Sequence, residues 1–207
     1  SGTAVVPVRR VQKTDVGGLV LDPAVLPVVA DGFGGADGVL GNEGMRDKRI
    51  VIDFKRDSIS VKRSKRERPG PEFRTLPTKI LRNYLLAFDM TIGRVKTTAI
   101  LDTGAPQSLG NMALLEALKR HPEDLPKAEV VGVTLDVEYA DRVAMPTIYM
   151  DEIIVRGAHM SFGDVHIFKH WNLTREPAIL LGMDIIGVVE QLIIDYRTRE
   201  LHIKVPR

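Results

Sequence analysis

The sequence contains no cysteine. Disulfides, thiol nucleophiles and thiolate metal sites are thereby excluded, and either redox compartment stays open. Aromatic residues make up only 5% of the chain. No apolar run approaches the ~18 residues of a membrane-spanning helix. The opening Ser1-Gly2-Thr3 lacks the basic stretch and apolar core of a secretory signal. A removed signal or anchor would leave the same sequence. A strong charge of one sign is also missing, since 29 basic and 27 acidic residues leave a net charge of +2. The five histidines are scattered. His166 and His170 have the spacing of a helical metal pair, but Val165, Ile167 and Phe168 give that region a strand-like or irregular pattern. No carboxylate completes a ligand set there, so no metal site is expected.

What is present fits a folded protein. The 207 residues are 44% hydrophobic and 27% charged, enough for one large domain or two small ones. The run Lys62-Arg63-Ser64-Lys65-Arg66-Glu67-Arg68 leads into Pro69-Gly70-Pro71. It reads as a solvated linker open to trypsin-like cleavage. A nucleic-acid patch would predict strongly salt-dependent binding, but no interleaved aromatic residues accompany the charges.

The chain repeats itself. Val39-Leu40-Gly41 is followed by Ile50-Val51-Ile52-Asp53-Phe54 and Ile59-Ser60-Val61. Leu180-Leu181-Gly182 is followed by Leu192-Ile193-Ile194-Asp195-Tyr196 and Leu201-His202-Ile203. Both stretches read as two apolar residues and a glycine, a short helical turn, an Ile-Asp-aromatic strand, a basic turn and a last strand. The match extends upstream, where Thr3–Val8 parallels Arg142–Thr147 and Val16–Leu21 parallels Ile154–His159. Residues 1–62 therefore read as the back half of a unit whose complete form spans 84–207, with a basic, proline-rich linker at 63–83. Asp53 and Asp195 read as hairpin residues. Asp37-Gly38 aligns with Pro177-Ala178, ahead of the glycine element.

Within the complete copy, Leu85–Thr91 and Arg94–Leu101 form a hairpin around Gly93. Met112–Arg120 is a surface helix stopped by Pro122. Val130–Tyr139 and Val143–Met150 are strands joined near Ala140-Asp141-Arg142. Further strands fall at Ile153–Val155 and Met160–Phe168.

One stretch carries chemistry. Ile100-Leu101 runs into Asp102-Thr103-Gly104-Ala105, with Ser108 close behind. This reads as a buried strand ending in a tight turn that bears one carboxylate, where glycine and a small neighbour admit the bend. Later comes Ile179-Leu180-Leu181-Gly182-Met183-Asp184. The pair of motifs resembles the retropepsin-like aspartic peptidases, in their bacterial two-repeat, Asp-Thr-Gly form, over nearly the whole chain outside the linker.

The resemblance implies a mainly β fold with few short helices: closed β-barrel lobes, one complete and one represented by its C-terminal half. It implies that Asp102 is catalytic, with Thr103 and Gly104 beside it. The Thr103 hydroxyl would bond the backbone of the opposite half. Ala105 and Ser108 would support the loop, Ser108 by holding the carboxylate. Leu181 and Gly182 would pass directly behind it, and Asp184 would cap the following helix. The 137–143 region would belong to a flap over an extended polypeptide substrate, contacted by Val137, Tyr139 and Val143. No cofactor is implied, because the nucleophile is water.

The family's chemistry needs two carboxylates sharing one proton. The sequence offers one Asp-Thr-Gly. The second would come from an N-terminal segment of the same protein or from a second copy of the chain. Self-processing is compatible with the first route, and a periplasmic or cell-envelope location goes with the resemblance. The alternative is a catalytically inactive peptide-binding or dimerisation module of the same fold.

Overall fold

A computed structural model describes residues 5–16, 19–21, 24–29, 38–42, 45–81, 85–120, 127–131 and 137–206, with backbone alone at 16, 21, 127–131 and 137–142. The first strands are β1 (Val8–Val11), β2 (Thr14–Val16), β3 (Leu19–Leu21) and β4 (Ala24–Pro27). Then come β5 (Lys48–Asp53), β6 (Ser58–Arg63), β7 (Arg74–Pro77), β8 (Lys79–Leu81), β9 (Leu85–Ile92), β10 (Val95–Leu101) and β11 (Leu109–Gly110). Helix α1 (Met112–Ala117) precedes β12 (Lys127–Val131), β13 (Val137–Ala144), β14 (Ile148–Met150), β15 (Ile153–Val155) and β16 (His159–Phe162). The chain closes with α2 (His166–His170), β17 (Ala178–Leu181), α3 (Met183–Ile186), β18 (Gln191–Asp195) and β19 (Glu200–Lys204).

Two main sheets result. The larger runs β12-β13-β16-β11-β17-β10-β9-β14-β15, with β8 added on β9. The β9–β10 hairpin turns at Gly93-Arg94, with Ile92 opposite Val95 and Gly93 at φ +60°, a conformation glycine adopts without a Cβ clash. Phe88, Met90, Ile92, Leu114, Leu115, Met160 and Ile179 are buried together in the main core. The smaller sheet, β6-β5-β18-β19-β7, lies against that core. A cavity of about 20 Å³ at the seam is lined by apolar residues, Phe88, Leu101, Leu181, Leu192 and Leu201 among them.

The repeat is visible as symmetry. In the smaller sheet, β5 and β18 pair antiparallel, with Val51 opposite Ile193, Ile50 opposite Ile194 and Ile52 opposite Leu192. Exchanging the two copies returns the same pairs, so a local two-fold passes between Val51 and Ile193. The hairpin turns match too. Asp57 and Arg199 occupy equivalent places and both sit at positive φ, +50° and +59°.

Three expectations change. Residues 74–77 and 79–81 of the expected linker are strands, one in each main sheet. Pairing drives this: Leu76, 3% exposed, sits opposite Leu201. The turn expected at residues 140–142 is strand, and β12 and β13 connect through 132–136, outside the described residues. Residues 166–170 are helical, because Val165, Phe168 and Leu173 bury one face. The repeat is also imperfect at its start: β14 and β15 pair with each other, but β1 and β2 do not. Instead β1 pairs β4 and β2 pairs β3, as two separate two-stranded sheets. Strand β14 rests on β9, whereas β1 pairs with no strand but β4 among the described residues. Asp37 and Pro122 lie outside the described residues.

Candidate active site

Strand β10 delivers Asp102. Ile100 and Ala99 are fully buried, and the strand ends where the chain must bend at Thr103-Gly104. The turn closes on itself. The Gly104 N–H donates to Asp102 Oδ1 at 3.0 Å, and the Ala105 N–H to the Asp102 carbonyl at 3.3 Å. Among the described residues, the bond from Gly104 is the carboxylate's one hydrogen bond. Thr103 is exposed beside it.

Strand β17 threads behind this turn. It runs parallel to β10, with Leu181 opposite Leu101, and antiparallel to β11, with Leu180 opposite Leu109. The Asp102 N–H donates to the Leu181 carbonyl at 3.0 Å, and the Met183 N–H to the Ala105 carbonyl at 2.9 Å. Gly182 sits at the crossing. A Cβ there would come within 2.6 Å of the Gln107 carbonyl carbon and 2.9 Å of the Ala105 oxygen. Both are backbone atoms, so only glycine fits the crossing.

Ser108 has a different partner from the one expected. Its buried hydroxyl donates to Asp184 Oδ1 at 2.6 Å and accepts the Gly182 N–H at 2.9 Å. The Ser108 N–H reaches the same Asp184 oxygen at 2.9 Å. Ser108 therefore fixes the crossing strand and does not touch the Asp102 carboxylate. Asp184 is the loop's clamp, while Gly182 occupies the N-cap of α3 and no side chain caps that helix. Sequence alone placed Asp184 beside the right helix, but its partner lies 76 residues away.

Asn111 escaped the sequence reading altogether. It is completely buried. Its Oδ1 accepts from the Leu114 N–H at 2.9 Å and the Ala178 N–H at 3.1 Å. Its Nδ2 donates to the carbonyls of Leu173 and Glu176. It caps α1 and anchors the start of β17 at once. The available signal was an Asn directly before the first helical residue.

The structure thus gathers Asp102, Thr103, Gly104, Ala105, Ser108, Leu181 and Gly182 around one turn. Val143 is a correction. It is 5% exposed, opposite Met160 in the core, so it does not line a substrate surface. The alternation of β13 with the buried strand β16 turns it inward. Val137 and Tyr139 lie on the same strand, in the hairpin expected to be the flap, but their side chains are outside the described residues. Asp53 and Asp195 are hairpin residues, as expected. The Asp53 carboxylate accepts the Arg56 N–H at 2.9 Å. Asp195 accepts those of Arg197 at 3.1 Å and Thr198 at 3.2 Å. No helix among the described residues is long and apolar enough to cross a membrane.

The aspartyl protease family matches residues 88–185, the span from β9 through the Asp102 turn to the clamp at Asp184. The matched span is therefore similar to an aspartyl protease lobe. Among solved structures, the chain is similar to a retropepsin-like aspartic protease from Rickettsia conorii, with 14% identity, a TM-score of 0.49, and coverage of 64% of this chain and 90% of that one. It is also similar to the retroviral protease-like domain of Ddi1 from Leishmania major, with 16% identity, a TM-score of 0.41, and coverage of 62% and 97%. No curated protein matches the sequence.

Proposed function

We propose that the protein is an aspartic endopeptidase to which this chain gives one of two catalytic carboxylates, that of Asp102. The observation that carries the reading is the built turn: a carboxylate at a strand end, locked by the Gly104 N–H, with a glycine crossing clamped behind it by Ser108 and Asp184. A facing carboxylate would share a proton with Asp102, because two like charges that close resist double ionisation. The ionised member then takes a proton from water. That water attacks the peptide carbonyl, whose oxygen the protonated member polarises. The pair titrates as a unit. Exposed Thr103 is positioned to bond the opposing loop. The facing turn belongs to an N-terminal segment of the same protein or to a second copy, and the protein trims itself if the first holds.

The test is cleavage of a fluorogenic peptide library by the product of the whole gene, wild type beside Asp102→Asn. Loss of about 10²–10⁴-fold or more in rate is expected, with intact mass showing whether both proteins are trimmed alike. Equal cleavage by both proteins defeats the reading. Peptide binding without cleavage by either would favour the inactive binding module.

A further inference from the structure

The two hairpins of the smaller sheet obey a local two-fold, but their surroundings do not. The two-fold maps Ile50 onto Leu192, Ile52 onto Ile194, Ile59 onto Leu201 and Val61 onto Ile203. All eight side chains share one face, since Ile52 lies opposite both Leu192 and Ile59, and Ile194 opposite both Ile50 and Leu201. On the second-copy half, Leu192, Ile194, Leu201 and Ile203 are 1%, 3%, 0% and 6% exposed beneath the lobe. On the first-copy half, Ile59 is 69% exposed, and Ile50, Ile52 and Val61 are half-buried. Strand β19 has β7 on its outer edge, with Leu76 opposite Leu201. Strand β6, its counterpart, has no outer neighbour among the described residues.

The N-terminal strands are largely exposed too, although Leu19 packs against the core. Val8, Val20, Val25, Leu26 and Val28 are exposed by 37–56%. By contrast β14, the repeat counterpart of β1, pairs with β9, and β15 pairs with β14.

We propose that this half of the sheet is the seat of a first-lobe front segment. Its leading strand pairs on β6 as β7 pairs on β19, with an apolar residue opposite Ile59. A hairpin like β9–β10 follows and covers Ile50, Ile52 and Val61. The turn after that hairpin supplies the second carboxylate, which is the one point that rests on the peptidase reading. A second copy of this chain has no lobe to lend, because its own already covers Leu192 to Ile203. In the complete copy the front segment, from residue 74 onward, precedes the back half. The repeat therefore assigns the occupant to polypeptide encoded ahead of Ser1.

The test compares amide hydrogen exchange at Ser58–Arg63 in two proteins, residues 1–207 alone and the whole gene product, both carrying Asp102→Asn so that neither is trimmed. Exchange should slow by at least about 100-fold in the longer protein, and Ile59→Asp should reverse that slowing without shifting the melting of residues 1–207. Equal exchange in both proteins overturns the proposal, as does a gene that encodes nothing of this pattern ahead of Ser1. Concentration-dependent protection of residues 1–207 alone also overturns it, by making a second copy the occupant. Slow β6 exchange in a wild-type product that cleaves nothing defeats the peptidase reading and leaves this inference standing. Cleavage with β6 unprotected does the reverse.

Discussion

Val51 lies directly opposite Ile193, where two copies of one hairpin meet about a local two-fold. Backbone symmetry there is close, but the side chains flanking the axis differ. Asp195 pairs with Arg49 at 3.0 Å. At the equivalent place Asp53 is met by Gln191, with Arg56 of its own turn at 3.2 Å. Burial raises the Asp195 carboxyl, but bonds from Ser64, the Thr198 N–H, Arg49 and the Arg197 N–H outweigh it and hold the group below the ordinary carboxylate range.

The two sites should respond differently to loss of their partners. Arg49→Gln removes the charge facing a fully buried Asp195 and should cost about 3–5 kcal/mol. Gln191→Ala leaves Asp53 with Arg56 at the rim and should cost about 1 kcal/mol or less. Urea unfolding of each variant measures this, and equal losses would refute the asymmetry.

Gly182→Ala places a methyl group against the Gln107 and Ala105 backbone. Neither neighbour is a flexible side-chain end, so the Asp102 turn itself must move. A loss of about 1–3 kcal/mol is expected. The proposed peptidase activity should fall much further than stability, because the turn fixes the Asp102 carboxylate. Gly104→Ala is the control, since its Cβ would meet only Asp102 Oδ1 at an ordinary 3.4 Å. A Gly182→Ala protein with unchanged melting temperature would show that the crossing is not tight.

These examples show what sequence could and could not reveal. The strand-turn motif at 100–105, the glycine crossing and the repeated hairpins were legible because each is local, with its pattern written in neighbouring residues. Ser108 was assigned to the right loop but the wrong carboxylate, because Asp102 and Asp184 are equally plausible acceptors until β17 is threaded. Nothing local in the sequence marks Arg49 as buried, yet it is 5% exposed. Its burial depends on β5 pairing with β18, a contact between residues 146 apart. Strands β7 and β8 hid in a charged, proline-rich stretch because edge strands are recruited by the sheet they join more than by their own propensity.

Ser108→Ala should cost about 1–3 kcal/mol, since it strips a buried bond from Asp184 and the acceptor of the Gly182 N–H. Asp184→Asn keeps an acceptor for Ser108 and should cost less. A double-mutant cycle should give a coupling energy of at least about 0.5 kcal/mol between the two. Strict additivity would show that the clamp is not one unit.

Stability should fall in two separate acid windows. His202 is 2% exposed, with Nδ1 2.8 Å from the Thr75 hydroxyl. Its pKa is lowered, first by burial; the negative charge of Glu200 opposes this, Arg49 adds to it, and Asp195 opposes it. The unfolded chain therefore takes up a proton before the folded one does. The stabilisation from neutral His202 is complete above its ordinary value near 6.5 and declines as pH drops below it toward the folded value. The slope is at most about 1.4 kcal/mol per pH unit. Asp195 and Asp53 have lowered carboxyl values. Their contribution is complete above the ordinary 3.8 and is lost as pH falls through the folded values. Melting curves from pH 8 to 3 should show a decline beginning near 6.5 and a steeper one below 4. His202→Gln should flatten the first and leave the second. If the variant keeps the slope between pH 7 and 5, another group sets it and the assignment to His202 fails.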